Sequence, residues 1–76
     1  MEISNDKLTF ADELQTEVPK RAIKGYYLHD NELVLQIENT DQKIVNRSLM
    51  YTNSDEAYKD YVTLVNINSY QTRSRL

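Results

Sequence analysis

Ala22-Ile23-Lys24-Gly25-Tyr26-Tyr27-Leu28-His29-Asp30-Asn31-Glu32-Leu33-Val34-Leu35-Gln36-Ile37-Glu38 decides the fold of this chain. Ile23, Tyr27, Leu33, Leu35 and Ile37 alternate with polar or charged neighbours at a period of two, the pattern of strands with one buried face. His29-Asp30-Asn31 interrupts the pattern with turn formers, so strands near 22–28 and 32–38 fold back as a hairpin. Beyond Thr40-Asp41-Gln42 the alternation resumes through Val45, Leu49 and Tyr51, a third strand near 43–51. The stretch reads as a three-stranded antiparallel meander.

Register tests this reading. With His29-Asp30-Asn31 as a three-residue loop, Tyr27 faces Leu33, Gly25 faces Leu35 and Ile23 faces Ile37. The strong apolar residues then share one face, which a one-residue slip would scatter. Asn31 suits the left-handed last position of such a loop. A three-residue loop at Thr40-Asp41-Gln42 sets Ile37 against Val45 and Leu33 against Leu49; a four-residue loop would turn Asn46 and Ser48 toward the core without partners. In this register Gly25, the sole glycine, leaves room on the core face for a packed helix. Arg47 falls opposite Leu35, its stem covering apolar surface while the guanidinium reaches an edge or a carboxylate.

The meander is followed by a helix start. Asn53 or Ser54 can cap, Glu56 stands three residues after Asn53, and Asp55 and Glu56 complement the positive helix end. Ala57, Tyr58, Tyr61, Val62, Leu64 and Val65 follow with helical spacing, and the helix is expected to reach about Asn68. The β-branched run from Val62 to Ile67 leaves a fourth strand as the competing reading.

Upstream, Pro19 holds Val18 extended and marks a boundary. Thr9-Phe10-Ala11-Asp12-Glu13-Leu14 predicts a short helix with Thr9 as cap, held only if the Phe10–Leu14 face docks. The fold class is therefore α+β: a three-stranded antiparallel meander packed on one C-terminal helix, with a short N-terminal helix. The expected organisation is an acidic, partly irregular segment over 1–19, a single α+β domain over 20–70 and a basic polar tail over 71–76.

Size and composition set further bounds. A chain of 76 residues has room for one domain and buries only about 60–65% of its unfolded surface, so partner binding is a natural source of extra stability. It has no cysteine, which removes disulfides and thiolate-zinc staples and favours a reducing, cytoplasmic setting. The polar opening Met1-Glu2-Ile3-Ser4-Asn5-Asp6 lacks a leader pattern, and Leu33-Val34-Leu35 is far too short to span a membrane. The net charge of −3 is concentrated at the front: Glu2, Asp6, Asp12, Glu13 and Glu17 face only Lys7, a local −4. Such a balance argues against nucleic acid, whose affinity comes mainly from neutralised phosphates. The acidic segment instead suits a basic partner surface, or simply a solvated terminus.

Catalytic chemistry has little to work with. The single histidine, His29, sits beside Asp30 in the predicted hairpin loop, where turn chemistry explains both residues. Glu32, Glu38 and Asp41 stand near loops without a histidine or cysteine to complete a metal site, and one glycine cannot build a phosphate loop. No enzyme, cofactor or metal is expected.

The tyrosines are more telling. In the proposed register Tyr26 points to the outer face beside Val34, with Leu28 and Met50 diagonal to it and Lys24, Gln36, Asn46 and Ser48 around them. An apolar centre with a polar rim is the anatomy of a modest protein-binding patch. Phe10 and Leu14 folding over that patch is the competing reading. The partner-binding candidates are thus Tyr26, Leu28, Val34 and Met50 on the sheet, with Asp12, Glu13 and Glu17 in the acidic segment. The expected function is a small non-enzymatic protein that occludes a surface on a larger protein, in the compositional style of viral or mobile-element accessory inhibitors. One alternative is a single-stranded nucleic-acid module stacking on Tyr26 with Lys24 or Arg47 near phosphate. The other is a homodimer joined through the outer sheet face.

Overall fold

A computed structural model describes residues 1–67 of the chain. Three short strands come first, β1 (Glu2–Ile3), β2 (Lys7–Thr9) and β3 (Glu17–Pro19). A 3₁₀ turn over Lys20–Ala22 leads into β4 (Ile23–His29), β5 (Glu32–Glu38) and β6 (Ile44–Met50), and helix α1 (Ser54–Asn66) follows. The expected meander is present as the antiparallel sheet β4-β5-β6, and the class is α+β. A second antiparallel sheet, β1-β2-β3, is formed by the segment expected to be partly irregular, and the stretch expected as a short helix is the loop joining β2 to β3. The expected tail over 71–76 lies outside the described residues.

The first hairpin departs from its predicted register. Only Asp30 and Asn31 separate β4 from β5, and His29 pairs with Glu32, Leu28 with Leu33, Tyr27 with Val34 and Tyr26 with Leu35. Asp30, not Asn31, takes the left-handed position, with φ 56°. His29 leaves the expected loop for β4, while Asn31 stays in it and is tied to the end of β6. The Asn31 side-chain Nδ2 donates to the Tyr51 carbonyl at 2.8 Å, and the Tyr51 N–H donates back to the Asn31 carbonyl at 2.9 Å. Shortening the loop by one residue reverses the faces of Tyr26, Tyr27 and Leu28. A bulge between Ile23 and Gly25 then restores the Ile23–Ile37 pair. Gly25 accordingly opposes Gln36 rather than Leu35.

The second turn follows expectation. Ile37 pairs with Val45, Leu35 with Arg47 and Leu33 with Leu49. Without a glycine, Gln42 itself adopts φ 63° at the end of the loop. Asn39 makes this tolerable, because its Oδ1 accepts from Asp41 N at 2.9 Å and Lys43 N at 3.0 Å. Helix α1 begins at the expected cap, Asn53 Oδ1 accepting from Glu56 N at 2.9 Å. It continues through Val62 to Asn66, so the helical reading of that run prevails over a fourth strand. Its buried face is narrower than the spacing implied: Ala57 and Leu64 are buried, while Tyr58 and Val65 are exposed.

No helix forms over 9–14. Asp12 Oδ1 accepts from Thr16 N at 2.9 Å, the Gln15 N–H returns to Asp12 O at 3.0 Å, and the Phe10 N–H reaches Thr16 O at 2.8 Å. These bonds close a loop that carries Leu14 into solvent, 87% exposed. A one-turn helix cannot hold itself in water, whereas the loop lets Leu8 pair with Val18 and turn both inward.

Leu8, Phe10 and Val18 of the first segment share one buried cluster with Leu33, Leu35 and Leu64. Tyr26, Leu28, Leu49, Tyr51 and Tyr61 pack around it. The helix and the small sheet therefore cover the same face of β4-β5-β6. The opposite face carries no further layer of the described chain.

Candidate interaction surface

Pairing fixes which side chains the uncovered face carries, since residues directly opposite in a sheet share a face. Tyr27, Val34 and Ser48 form one row across it, His29, Glu32 and Met50 a second, and Glu38 and Ile44 lie toward the far end. Val34, at the centre of the sheet, is only 4% exposed, whereas Tyr27 is 49%, Ile44 52% and Met50 69% exposed. The Lys24 ammonium pairs with Glu38 at 3.4 Å on the rim. Val34 is the apolar floor of this face, and Tyr27 and Met50 stand near it. The polar pair Gln36 and Asn46 separates it from Ile44, and charges of both signs lie at the margin.

The four sheet candidates do not form one surface. Val34 and Met50 belong to the outer face, but Tyr26 and Leu28 turn inward against the core. The Tyr26 ring meets Tyr61 of the helix edge-on, 5.9 Å between centroids at 69°. Burial there pushes its phenol up from the ordinary tyrosine value, with the neighbouring Tyr61 adding to the effect. Tyr27 takes the outward place the alternation assigned to Tyr26, and His29, paired with Glu32, the one assigned to Leu28. Phe10 also lies in the core, so the first segment packs on the inner face rather than over the outer patch.

The acidic candidates separate as well. The Asp12 carboxylate receives the Arg47 guanidinium at 3.3 Å, and the guanidinium lies over the Phe10 ring, 3.9 Å from its centroid. Arg47 is thus the half-buried arginine with a carboxylate partner that its register position implied. Glu17 is held by Lys7 at 3.1 Å, and Glu13 is exposed in the loop. Two of these three carboxylates are engaged within the chain. The Tyr51 hydroxyl donates to Asp60 Oδ2 at 2.6 Å, tying the end of the meander to the helix. Burial and this bond push the Tyr51 phenol well above the ordinary tyrosine range.

The Asp12 loop gives a pH-dependent expectation. Hydrogen bonds from Thr16, with Arg47 beside them, hold the Asp12 carboxyl below its ordinary value. A depressed carboxyl contributes stability above its unfolded pKa, and that stability is lost as pH falls through the folded value. Parent and Asp12→Asn should therefore differ in melting temperature at neutral pH, with the gap starting to narrow as pH falls through about 4 and closing only below the depressed folded value. A gap that persists unchanged to pH 2 would show that the charge of Asp12 contributes nothing.

Clefts border the first segment, one of about 390 Å³ lying within it between Met1–Glu2 and Thr9–Asp12. A larger one, of about 810 Å³, runs between Glu17–Pro19 and Arg21, Lys24 and Ile37. Another, of about 270 Å³, separates Phe10–Asp12 from Arg47–Tyr51. Among the described residues no group of three or more histidine, cysteine, aspartate or glutamate side chains is placed to hold a metal, and no helix is long and apolar enough to cross a membrane. No family model, curated protein or solved structure matches this chain.

Proposed function

We propose that this chain is a non-enzymatic binding protein that occludes a surface on a larger protein, with the outer face of β4-β5-β6 as its contact. One observation carries the reading: Tyr27 and Met50 stand near the floor at Val34, with Ile44 beyond a polar pair, on the face that neither the helix nor the small sheet covers. Tyrosine and methionine are enriched at protein interfaces, and charged residues at the margin suit a partially wet rim. The matching partner surface is apolar at its centre with charges of both signs around it. A viral or mobile-element accessory inhibitor remains the proposed setting, supported by the short, acidic, cysteine-free composition.

The residues named for the nucleic-acid alternative have partners within the chain, which supports the protein-binding reading over it. Tyr26 is packed against Tyr61, Lys24 is paired with Glu38, and Arg47 is paired with Asp12. The acidic segment is the weaker contact surface for the same reason, two of its three candidate carboxylates being internally engaged.

Tyr27→Glu tests the reading. The side chain is half exposed, so the fold should survive with a stability change within about 0.5–1 kcal/mol. Partner capture by affinity pulldown from the source cells should be lost, while Glu13→Lys retains it. A folded Tyr27→Glu protein that captures the same partner would remove the sheet face from consideration.

A further inference from the structure

We infer that two copies of this chain pair antiparallel through the edge of β6 that no other described strand pairs with, extending two three-stranded sheets into one of six. The inference is independent of the outer-face reading, because it concerns backbone groups at the sheet edge.

The two edges of this sheet are differently built. β4 is interrupted by the bulge between Ile23 and Gly25 and carries Lys24 beside it. Bulges and edge lysines are the usual protection of a strand against unwanted pairing. β6 has neither: Ile44-Val45-Asn46-Arg47-Ser48-Leu49-Met50 contains no proline, glycine or lysine, and its register with β5 is unbroken. Its one charge, Arg47, is turned onto Asp12 and Phe10 of its own chain.

The hydrogen-bond pattern identifies the unpaired groups. Tyr51 N donates to Asn31 O and Asn39 N to Lys43 O, so odd-numbered residues carry the bonds between β5 and β6. The N–H and C=O groups of Ile44, Asn46, Ser48 and Met50 therefore point away from β5. The first segment does not satisfy them. Its Phe10–Asp12 stretch stands across the cleft from Arg47–Tyr51, and no backbone hydrogen bond among the described residues reaches the strand from it. A row of alternating donors and acceptors is complemented by extended backbone and by little else.

The sequence of the strand specifies a second copy. Two-fold pairing must join even-numbered residues to even-numbered residues, and the axis giving the longest overlap passes through Arg47. Ile44 then meets Met50 of the partner subunit, and Val45 meets Leu49 of the partner subunit. Asn46 meets Ser48 of the partner subunit. Each exposed apolar residue finds an apolar one, and the polar residues meet at the middle. Val45, 47% exposed on the inner face, is covered in this way. Shifting the axis by one residue along the strand sets Met50 against Asn46 or Ile44 against Ser48. Arg47 would oppose its own copy at the axis, and each is already neutralised by Asp12 at 3.3 Å.

Sedimentation equilibrium of the parent should report a concentration-dependent species of twice the 9.0 kDa chain mass. Ser48→Pro removes an outward N–H without touching the β5 ladder, a position where an edge strand accepts proline. It should keep the circular dichroism of the parent and raise the dimer dissociation constant by about tenfold or more, the effect of ~1.4 kcal/mol. Ile44→Lys, at a half-exposed position, places a charge at the edge and should do the same should Ser48→Pro fail to fold. Tyr27→Glu, on the open face, should leave the dimer intact. A monomeric parent across micromolar to millimolar concentrations overturns the inference. So does a folded edge variant that dimerises like the parent, or a dimer that Tyr27→Glu abolishes and Ile44→Lys does not.

Discussion

Phe10→Ala is expected to cost about 3–5 kcal/mol of folding stability, the usual penalty for emptying a buried phenylalanine site. Phe10 is among the largest fully enclosed side chains of the described chain. It touches the common core of both sheets and the helix, and its ring also supports Arg47. Truncation therefore opens a cavity and removes the surface on which the guanidinium rests. For a domain this small the loss corresponds to a fall of at least about 12 °C in melting temperature. Urea denaturation and a thermal scan measure it, and methyl NMR shifts of Leu33 and Leu64 report whether the cavity reaches the shared core. A variant that melts like the parent, with those methyl signals unmoved, would reduce the first segment to an appendage on an independent meander.

This result would also explain why the first segment was hard to read. Phe10 and Leu14 have helical spacing, and the spacing is real, but a single turn has no stability of its own. The deciding contacts are the Asp12–Thr16 bonds and the Leu8–Val18 pair. Neither produces a periodic signal over strands of two or three residues.

The meander shows the same contrast at finer scale. The β5–β6 register was legible because Leu33, Leu35 and Ile37 alternate with polar residues, which leaves one consistent alignment with Val45 and Leu49. In β4, Tyr26-Tyr27-Leu28 offers three apolar residues in a row, so alternation cannot say which face each takes. The choice falls to the loop length, and there Asp30 at φ 56° closes a two-residue turn that the alternation does not signal. The consequences for the outer surface are unequal. Val34 and Met50 were readable as outward because they sit on the well-determined strands. Tyr27 was not, since its orientation depends on whether His29 belongs to the loop or to the strand.

Leu35→Ala should cost about 2–5 kcal/mol, a large part of the roughly 5–15 kcal/mol that holds a natural domain together. Leu35 is fully buried at the middle of the central strand, between Tyr26 and Arg47, within the cluster that joins Leu8, Phe10 and Leu64. Its neighbour Val34 is nearly as inaccessible, yet it lies on the other face with Tyr27 and Ser48 beside it. Burial alone does not separate the two residues; what lies above them does. Val34→Ala removes apolar contact on a face that can relax toward solvent, so about 1–2 kcal/mol is expected, near the transfer value of the lost methyl groups. Parallel urea titrations of both variants decide the matter. A clear excess for Leu35→Ala fits a core on one face and a contact surface on the other. Equal costs would mean that the outer face is covered in solution, and because pairing through the β6 edge leaves that face open, the cover would have to come from elsewhere.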